Sequence, residues 1–590
     1  MKKNNTKTKR RLERLRELYS ASLEAYSERL ELYEKNLSQY KGDDRIDGSK
    51  ERAATVRNIT YEIIESQISS DIPPPKVDSL SYSEKRERCA EAIERLLYSI
   101  RDTLPYEKLN DTDERYTYIY GASVWYAEWD NEEKFDGRHG GVRIYCLSPE
   151  DFIPQPNTAD ISDMEYCFLR FTTTKEELMR KFNLKREELD LCEVSFSSSS
   201  DIPDEDTLRM VIAFYKDDDG DVCRFIFSGE VALSDVPKYY KRKRWVCDEC
   251  REERALCRCG GESFELIDEE YEELIYDIQL SSGDFIHAAK DGAIPQKIPY
   301  YTPKIFPIVI RKNIPLFNSP FGQSDCEYIR PEQQAINKIE SRILQKLLRA
   351  GVTPIVPEDA SITLNNSVFG QLIRIKPGES IAQYGKVDTT PDITQDIAEA
   401  ERLYDHAKRI LGISDALQGL DTHVAESGYS RQLKISQAAG RLESKRKMKH
   451  AAYAELDRLI FLEYLAFADE PRRLTYKDSF GRIHDAAFNK YDFLEYDAEE
   501  EKYLFDDSFL FSVDLNGGAE YQREALWERN LENLKSGTLG DSSSPVSLLR
   551  YWQLQERAHY PFARENVEYF KAMVEKEREV LYAEENQDEP

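Results

Sequence analysis

One segment constrains this chain more than any other: Ser430 to Ala468 reads as a single long helix. Tyr453, Leu456, Ile460, Tyr464 and Phe467 recur at helical spacing, so its second half has a face to bury. Pro471 closes the run, because proline cannot continue a helix. Gly440 sits in the interior, where the missing side chain weakens the helix and allows a kink.

Two further helices precede it. From Asp325 to Ala350 one face carries Ile336, Ile339, Ile343 and Leu347, and Gly351 and Pro354 end the run. From Thr394 to Leu411 the face is Ile397, Ala400, Tyr404, Ala407 and Leu411. Between them, 351–393 is β-rich, with turn residues at Asn365-Asn366 and Pro377-Gly378. A glycine-bearing loop, Gly419 to Gly428, leads into the long helix. After it, 471–520 returns to strands and turns, and 521–590 reads as amphipathic helices with an acidic tail.

The N-terminal part differs. In residues 1–45, Tyr19, Leu23, Tyr26, Leu30, Tyr33 and Leu37 alternate in steps of four and three, the seam of a heptad helix. Such a seam lies either on its own domain or against a neighbouring subunit. A polar break follows, then amphipathic Val56 to Ile68 and the rigid exit Ile72-Pro73-Pro74-Pro75. Glu84 to Leu104 is helical. Five stretches then read as strands: Tyr116–Trp129, Val142–Leu147, Tyr166–Thr172, Leu208–Tyr215 and Val222–Phe227. Asp217-Asp218-Asp219-Gly220-Asp221 lacks the spacing of a calcium loop and reads as a hairpin turn. The Tyr116, Tyr118, Tyr120 stripe reads as packing. The fold class is α+β, in several domains.

Length agrees: 590 residues suggest about four domains at roughly 150 residues each. With 40% hydrophobic and 11% aromatic residues, real cores are expected. The net charge of -29 argues against a protein that grips DNA tightly, since phosphate neutralisation needs Lys and Arg. No stretch approaches the roughly 18 apolar residues of a membrane helix, and Met1–Arg11 has no apolar segment behind it, so neither membrane nor secretory signal is expected. Cys89, Cys146, Cys167, Cys192, Cys223 and Cys326 stand apart and read as reduced cytosolic thiols.

The other four cysteines are Cys247, Cys250, Cys257 and Cys259. Two close pairs of thiols suit a tetrahedral zinc site, and strand-like residues on either side make 240–266 a candidate zinc ribbon. Four protein ligands leave no open position for water, so this Zn2+ is expected to be structural. The alternative is free thiols on a loop.

Charge is also locally reversed. Arg431, Lys434, Arg441, Lys445, Arg446, Lys447 and Lys449 lie together with one acid, Glu443, and Lys434, Arg441 and Lys445 fall near one helical face. A solvated face is the ordinary explanation. The other is a belt, at Arg431, Lys434, Arg441 and Lys445, for DNA or a neighbour's acids. Catalytic constellations are missing from the sequence: it has neither a His-Glu-x-x-His pattern, nor a phosphate loop, nor a Gly-x-Ser-x-Gly elbow. No enzyme is expected.

Several stretches, in their order, resemble the portal proteins of tailed bacteriophages, the head-to-tail connectors. Asn58–Ser69 with Ile72-Pro73-Pro74-Pro75-Lys76 is similar to the portal N-terminal segment. Tyr120-Gly-Ala-Ser-Val-Trp-Tyr126 and Leu147-Ser-Pro-Glu-Asp-Phe-Ile-Pro154 resemble the wing. Pro320-Phe-Gly-Gln-Ser-Asp325 into Gln334-Ala-Ile-Asn-Lys338 resembles the start of the first stem helix. Gly412–Gly419 and Glu426-Ser-Gly-Tyr-Ser430 resemble the approach to the long helix.

The resemblance implies an N-terminal helix at 1–45, a wing at 46–324, stem helices at 325–350 and 394–411, and a clip at 351–393. It implies a tunnel loop at 412–429, facing DNA with Asp421, Thr422, His423, Glu426, Ser427 and Tyr429. The long kinked helix would be 430–470, the wing return strands 471–520, and the crown 521–590. It further implies a dodecameric ring at a capsid vertex of the virion, assembled in the host bacterial cytoplasm. Double-stranded DNA would pass through it in packaging and ejection. Partners would be the terminase large subunit, a neck adaptor, and the major capsid and scaffolding proteins. The cysteine cluster departs from the common pattern as an insertion in the wing. Two other readings stand beside this one: another virion ring or neck component, which would not need the helix–insert–helix order, and a zinc-containing nucleic-acid enzyme, which would show turnover.

Overall fold

The computed structural model describes residues 5–43, 55–80, 83–135, 138–182, 184–194, 207–240, 243–247, 264–268, 272–274, 278–281, 285–286 and 297–299. It continues with 301–348, 352–355, 385–388, 391–413, 428–468, 471–477, 483–497, 502–513, 520–557 and shorter pieces up to 576. The chain is mixed helix and strand. It divides into two compact units: residues 1–30, 68–323 and 444–590 form the larger, and 31–67 with 324–443 form the smaller.

The first helical segment is two helices, α1 (Asn5–Ala25) and α2 (Ser27–Lys41), with a turn at Tyr26. A short helix, α3 (Ile59–Glu65), is capped by Asn58, whose side chain accepts from Tyr61 N. The prolines then lead into strand β1 (Pro75–Ser79). Helix α4 (Glu84–Thr103) is followed by α5 (Tyr106–Tyr120). Here the expectation needs correcting, because Tyr116 to Tyr120 is helix and not strand. Gly121, at φ 90, closes α5 in a conformation that side chains resist. The strand β2 (Ala122–Phe135) starts only after it.

Next come β3 (Arg138–Leu147), β4 (Phe152–Pro154) and β5 (Tyr166–Thr174), then α6 (Lys175–Phe182) and α7 (Arg186–Leu189). Strands β6 (Thr207–Lys216), β7 (Val222–Ser228) and β8 (Val231–Val236) complete an antiparallel sheet in the order β4-β5-β6-β7-β8. Both faces of this sheet are buried, which is why its strands read as near-continuous apolar runs. Phe168, Val211, Ala213 and Phe225 point to one face, under Leu12, Leu15 and Tyr19 of α1. Tyr19 meets Phe168 edge-on at 5.3 Å. The part of the N-terminal seam carried by α1, Tyr19 and Leu23, therefore packs on this sheet. Cys167, Leu169, Ile212 and Phe214 point to the other face, toward Val124, Tyr126 and Ile308.

A hairpin of β9 (Lys243–Cys247) and β10 (Phe264–Asp268) follows. The strand Ile308–Lys312 then pairs with β2. Gly322 sits so close to Gly121 that an added Cβ would lie 2.5 Å from its carbonyl oxygen. Later in the chain, α8 (Asp325–Leu348), α9 (Thr394–Leu411) and α10 (Gly428–Phe467) appear where the periodicity placed them. In the larger unit, Leu459–Ala466 of α10 is buried on every side, and Phe461 packs on Phe493 and Phe509. The strand Phe509–Val513 pairs antiparallel with β1. The chain closes with α11 (Glu520–Lys535) and α12 (Pro545–Arg557), which pack together through Gln555 and Trp527.

In the smaller unit α8 and α9 run antiparallel. Ile329 and Ile336 meet Tyr404, Ala407 and Leu411, while Ile339 and Ile343 meet Ala400. Polar contacts follow the same register: a hydrogen bond between Glu332 and His406 at 3.0 Å, and an ion pair of Arg342 with Asp396 at 2.8 Å. Between these helices, strands Val352–Ile355 and Gly385–Asp388 pair antiparallel. In α2 the buried line departs from the heptad. Tyr33, Asn36 and Gln39 are buried, and Leu37 is only half-buried. Gln39 donates to Thr60 Oγ1 at 2.9 Å and accepts from Arg330 at 3.1 Å. Gln333 accepts from Thr60 N and donates to Asn337, so α2, α3 and α8 are joined by buried amides.

Candidate functional site

The basic run of α10 is the site whose parts the structure places most clearly, and it corrects one member of the expected belt. Lys445 is buried, with its ammonium 5.0 Å from the Tyr118 ring centre. One turn on, Lys449 is buried as well. Its ammonium is 3.1 Å from Glu114 and donates to the Asp71 carbonyl at 2.6 Å. Positions four apart on a helix share a face, so this face of the run docks α10 on α5. Lys447 stays exposed. The backbone at Arg431, Lys434 and Arg441 is helical, but their side chains lie outside the described residues.

Glu114 belongs to a wholly buried charge cluster. Arg311 pairs with Asp113 and, at 2.8 Å, with Glu114. Trp125 Nε1 donates to Asp113 at 3.0 Å, Ser123 donates to the same oxygen, and Ser69 N donates to Glu114 at 3.1 Å. Burial alone would push the Glu114 carboxyl up, but Arg311 and Lys449 outweigh it and hold the carboxyl below its usual range. Burial also lowers Lys449, against the opposing pull of Glu114. A second buried pair, Arg101 with Asp457 at 2.7 Å, ties α4 to α10. Two acids balanced by two bases, all hydrogen-bonded, suit anchoring of a helix.

Of the expected tunnel-loop residues, Asp421, Thr422, His423, Glu426 and Ser427 lie outside the described residues. Tyr429 falls inside the first turn of α10, which begins at Gly428, and not in the loop. Of the thiols, Cys247 ends β9, and its Cα partner is Phe264. Cys250, Cys257 and Cys259 lie outside the described residues, on the connection between the two paired strands. The six separate cysteines are free, five of them buried and Cys146 half-buried. Burial pushes their thiols up, to about 11 for Cys89 and about 12 for Cys326.

Asp217 to Asp221 forms the expected turn. Asp217 accepts from Asp219 N and Asp221 N, and Gly220 is at φ 79. The carboxylates of Asp217, Asp219 and Asp221 cluster there, but the Lys238 ammonium sits 3.0 Å from Asp221. A cation of the chain thus already answers part of that charge. Among the described residues no helix is long and apolar enough to cross a membrane.

Sequence reasoning passed over Glu463. It is fully buried, and no described residue donates a hydrogen bond to either of its oxygens. Arg224 pairs instead with Glu128, at 2.6 Å. Burial first, and the Glu128 charge second, raise the Glu463 carboxyl well above its ordinary value, with Arg224 opposing. Its surroundings therefore favour the protonated form. The available signal was a lone acid within the apolar run Leu459–Ala466.

Compared with known proteins, the chain matches no family model and no curated protein.

Proposed function

We propose that this chain is a portal subunit: one member of a ring at a single capsid vertex of a tailed phage, through which the genome is packaged and ejected. The observation that carries the reading is an order of elements. An antiparallel helix pair, α8 and α9, is separated by a strand pair and followed by a 40-residue helix. Stem, clip, stem and long helix stand in that order in the family the sequence resembles. The acidic balance supports the reading too. A conduit has to release its cargo, and a net charge of -29 repels phosphate instead of holding it. On this reading the chain carries out no turnover. It is part of the virion, assembled in the host cytoplasm, and meets the terminase large subunit, a neck adaptor, and the capsid and scaffolding proteins. The tunnel loop is the segment from 412 up to the start of α10 at Gly428, and the DNA-facing basic belt on α10 is Arg431, Lys434 and Arg441, with Lys445 withdrawn into the fold.

The proposal includes one structural zinc per chain, held by Cys247, Cys250, Cys257 and Cys259. The pairing of β9 with β10 favours it, because a hairpin returns the chain beside Cys247 and keeps the four-thiol connection short.

Negative-stain imaging of the purified chain tests the main claim. Rings with a central channel are expected, and a monomer at every concentration would sink it. Shortening the loop within 420–428 is expected to spare ring assembly and impair DNA packaging or retention. Normal packaging would remove the tunnel-loop assignment.

A further inference from the structure

The larger unit holds a cleft of about 340 Å3 that none of the preceding roles uses. Four cationic side chains line it: Lys216, Lys304, Lys312 and Arg458. Two acids, Asp160 and Glu455, share the lining. Apolar side chains, Ile305, Ile310 and Leu459 among them, make up much of the remaining lining and give the cleft an apolar floor. In a chain with a net charge of -29, a four-cation cleft runs against the average.

The cations are not equally committed. Lys312 pairs with Asp160 at 3.1 Å and also donates to the carbonyls of Ala159 and Ser319. Arg458 has Glu455 as its electrostatic partner, one turn away on α10. Among the described residues Lys216 donates to the Ser162 carbonyl alone, at 3.1 Å, and lies 5.3 Å from the Phe306 ring. Lys304 donates, among the described residues, to the Asp219 carbonyl alone, at 2.8 Å. A carbonyl orders an ammonium without cancelling its charge. Two positive charges are therefore held in place beside an apolar surface, neither in an ion pair with a carboxylate among the described residues. The nearby Asp219 and Asp221 carboxylates are engaged by Lys238.

We infer that this cleft binds a small organic phosphate. The phosphate takes Lys216 and Lys304, and the apolar body of the ligand rests on the floor. A phosphate monoester carries close to two negative charges at neutral pH, which matches two ammonium groups whose only described acceptors are carbonyls. The volume falls within the roughly 300–1,000 Å3 of small-ligand sites, enough for a molecule of mononucleotide size. A bare anion would leave the floor uncovered, and a nucleoside would leave the cations unanswered. The inference stands independently of the portal reading.

The test is calorimetric titration of the full-length protein with adenosine monophosphate. Saturable uptake of one per chain is expected. Adenosine should bind at least tenfold more weakly, and inorganic phosphate should compete. Lys304→Met alters an exposed side chain and should weaken binding several-fold without moving Tm. The pair Lys216→Met and Lys304→Met should weaken it at least tenfold. Failure of the parent to take up adenosine monophosphate at millimolar concentration overturns the inference. So does undiminished binding in the double variant. Binding of a short DNA duplex that depends on the same lysines, with no competition from adenosine monophosphate, overturns it in favour of a nucleic-acid contact.

Discussion

The ammonium of Lys449 on α10 and the carboxylate of Glu114 on α5 lie 3.1 Å apart, with side chains only 5% and 1% exposed. Neither charge has water to fall back on, and Arg311 leans on the same carboxylate. The cluster therefore tolerates the loss of both partners better than the loss of one.

Lys449→Met is expected to destabilise the larger unit by about 3–5 kcal/mol, as breaking a buried pair does. Urea unfolding at neutral pH reads this directly. A loss under about 1 kcal/mol would mean the pair is not held in solution. The pH dependence has a definite sign. The Glu114 carboxyl is depressed in the folded state, so the unfolded chain takes up the proton first as pH falls. Its contribution is whole above the ordinary glutamate range and drains away as pH drops through the depressed folded value. Glu114→Gln should show a shallower acid decline than the parent.

Glu463 behaves in the opposite way. Its carboxyl is raised, so the folded state holds a proton that the unfolded state has already released. Stability then falls as pH rises from the ordinary glutamate range toward the raised folded value. Glu463→Met keeps the volume and removes the polar atoms. It is expected to gain about 1–3 kcal/mol at neutral pH and to flatten that decline. Parallel pH profiles for parent and variant would refute the raised Glu463 carboxyl.

Gly322→Ala is expected to lower stability by about 1–3 kcal/mol. The added Cβ would meet backbone, at 2.5 Å from Gly121 O and 2.8 Å from Ile314 O, and backbone cannot swing aside as a long side chain can. Thermal unfolding of the single variant measures it. An unchanged Tm would show that the Gly121 and Gly322 segments are not so closely opposed.

Atomic emission of protein purified without chelator should find one zinc per chain. Cys247→Ser and Cys257→Ser should each lower both the zinc content and the stability. Full-length protein free of zinc would end the ribbon proposal.

The helices α8, α9 and α10 were legible because each carries an apolar stripe at a single period, and a stripe survives whatever packs against it. Helix α5 was not. Tyr116, Tyr118 and Tyr120 mimic the alternation of a strand, and the information that overrides it is the left-handed Gly121 one residue later. In α2 the apolar seam pointed to Leu37, but the buried line runs through Asn36 and Gln39. Amides can replace leucines there because Arg330 and Thr60 answer them, and those partners are distant in sequence. The basic run shows the same limit. Charge is written in the sequence, but Lys445 and Lys449 are distinguished from Lys447 only by Tyr118 and Glu114.

The six separate thiols have a practical meaning. Burial keeps Cys89, Cys146, Cys167, Cys192, Cys223 and Cys326 protonated at neutral pH, and alkylating reagents attack the thiolate. The folded protein is thus a nearly silent background for such a reagent. Any rapid modification has to come from Cys247, Cys250, Cys257 or Cys259. A burst of labelling that appears only after a chelator is added would locate a metal site without altering a single residue.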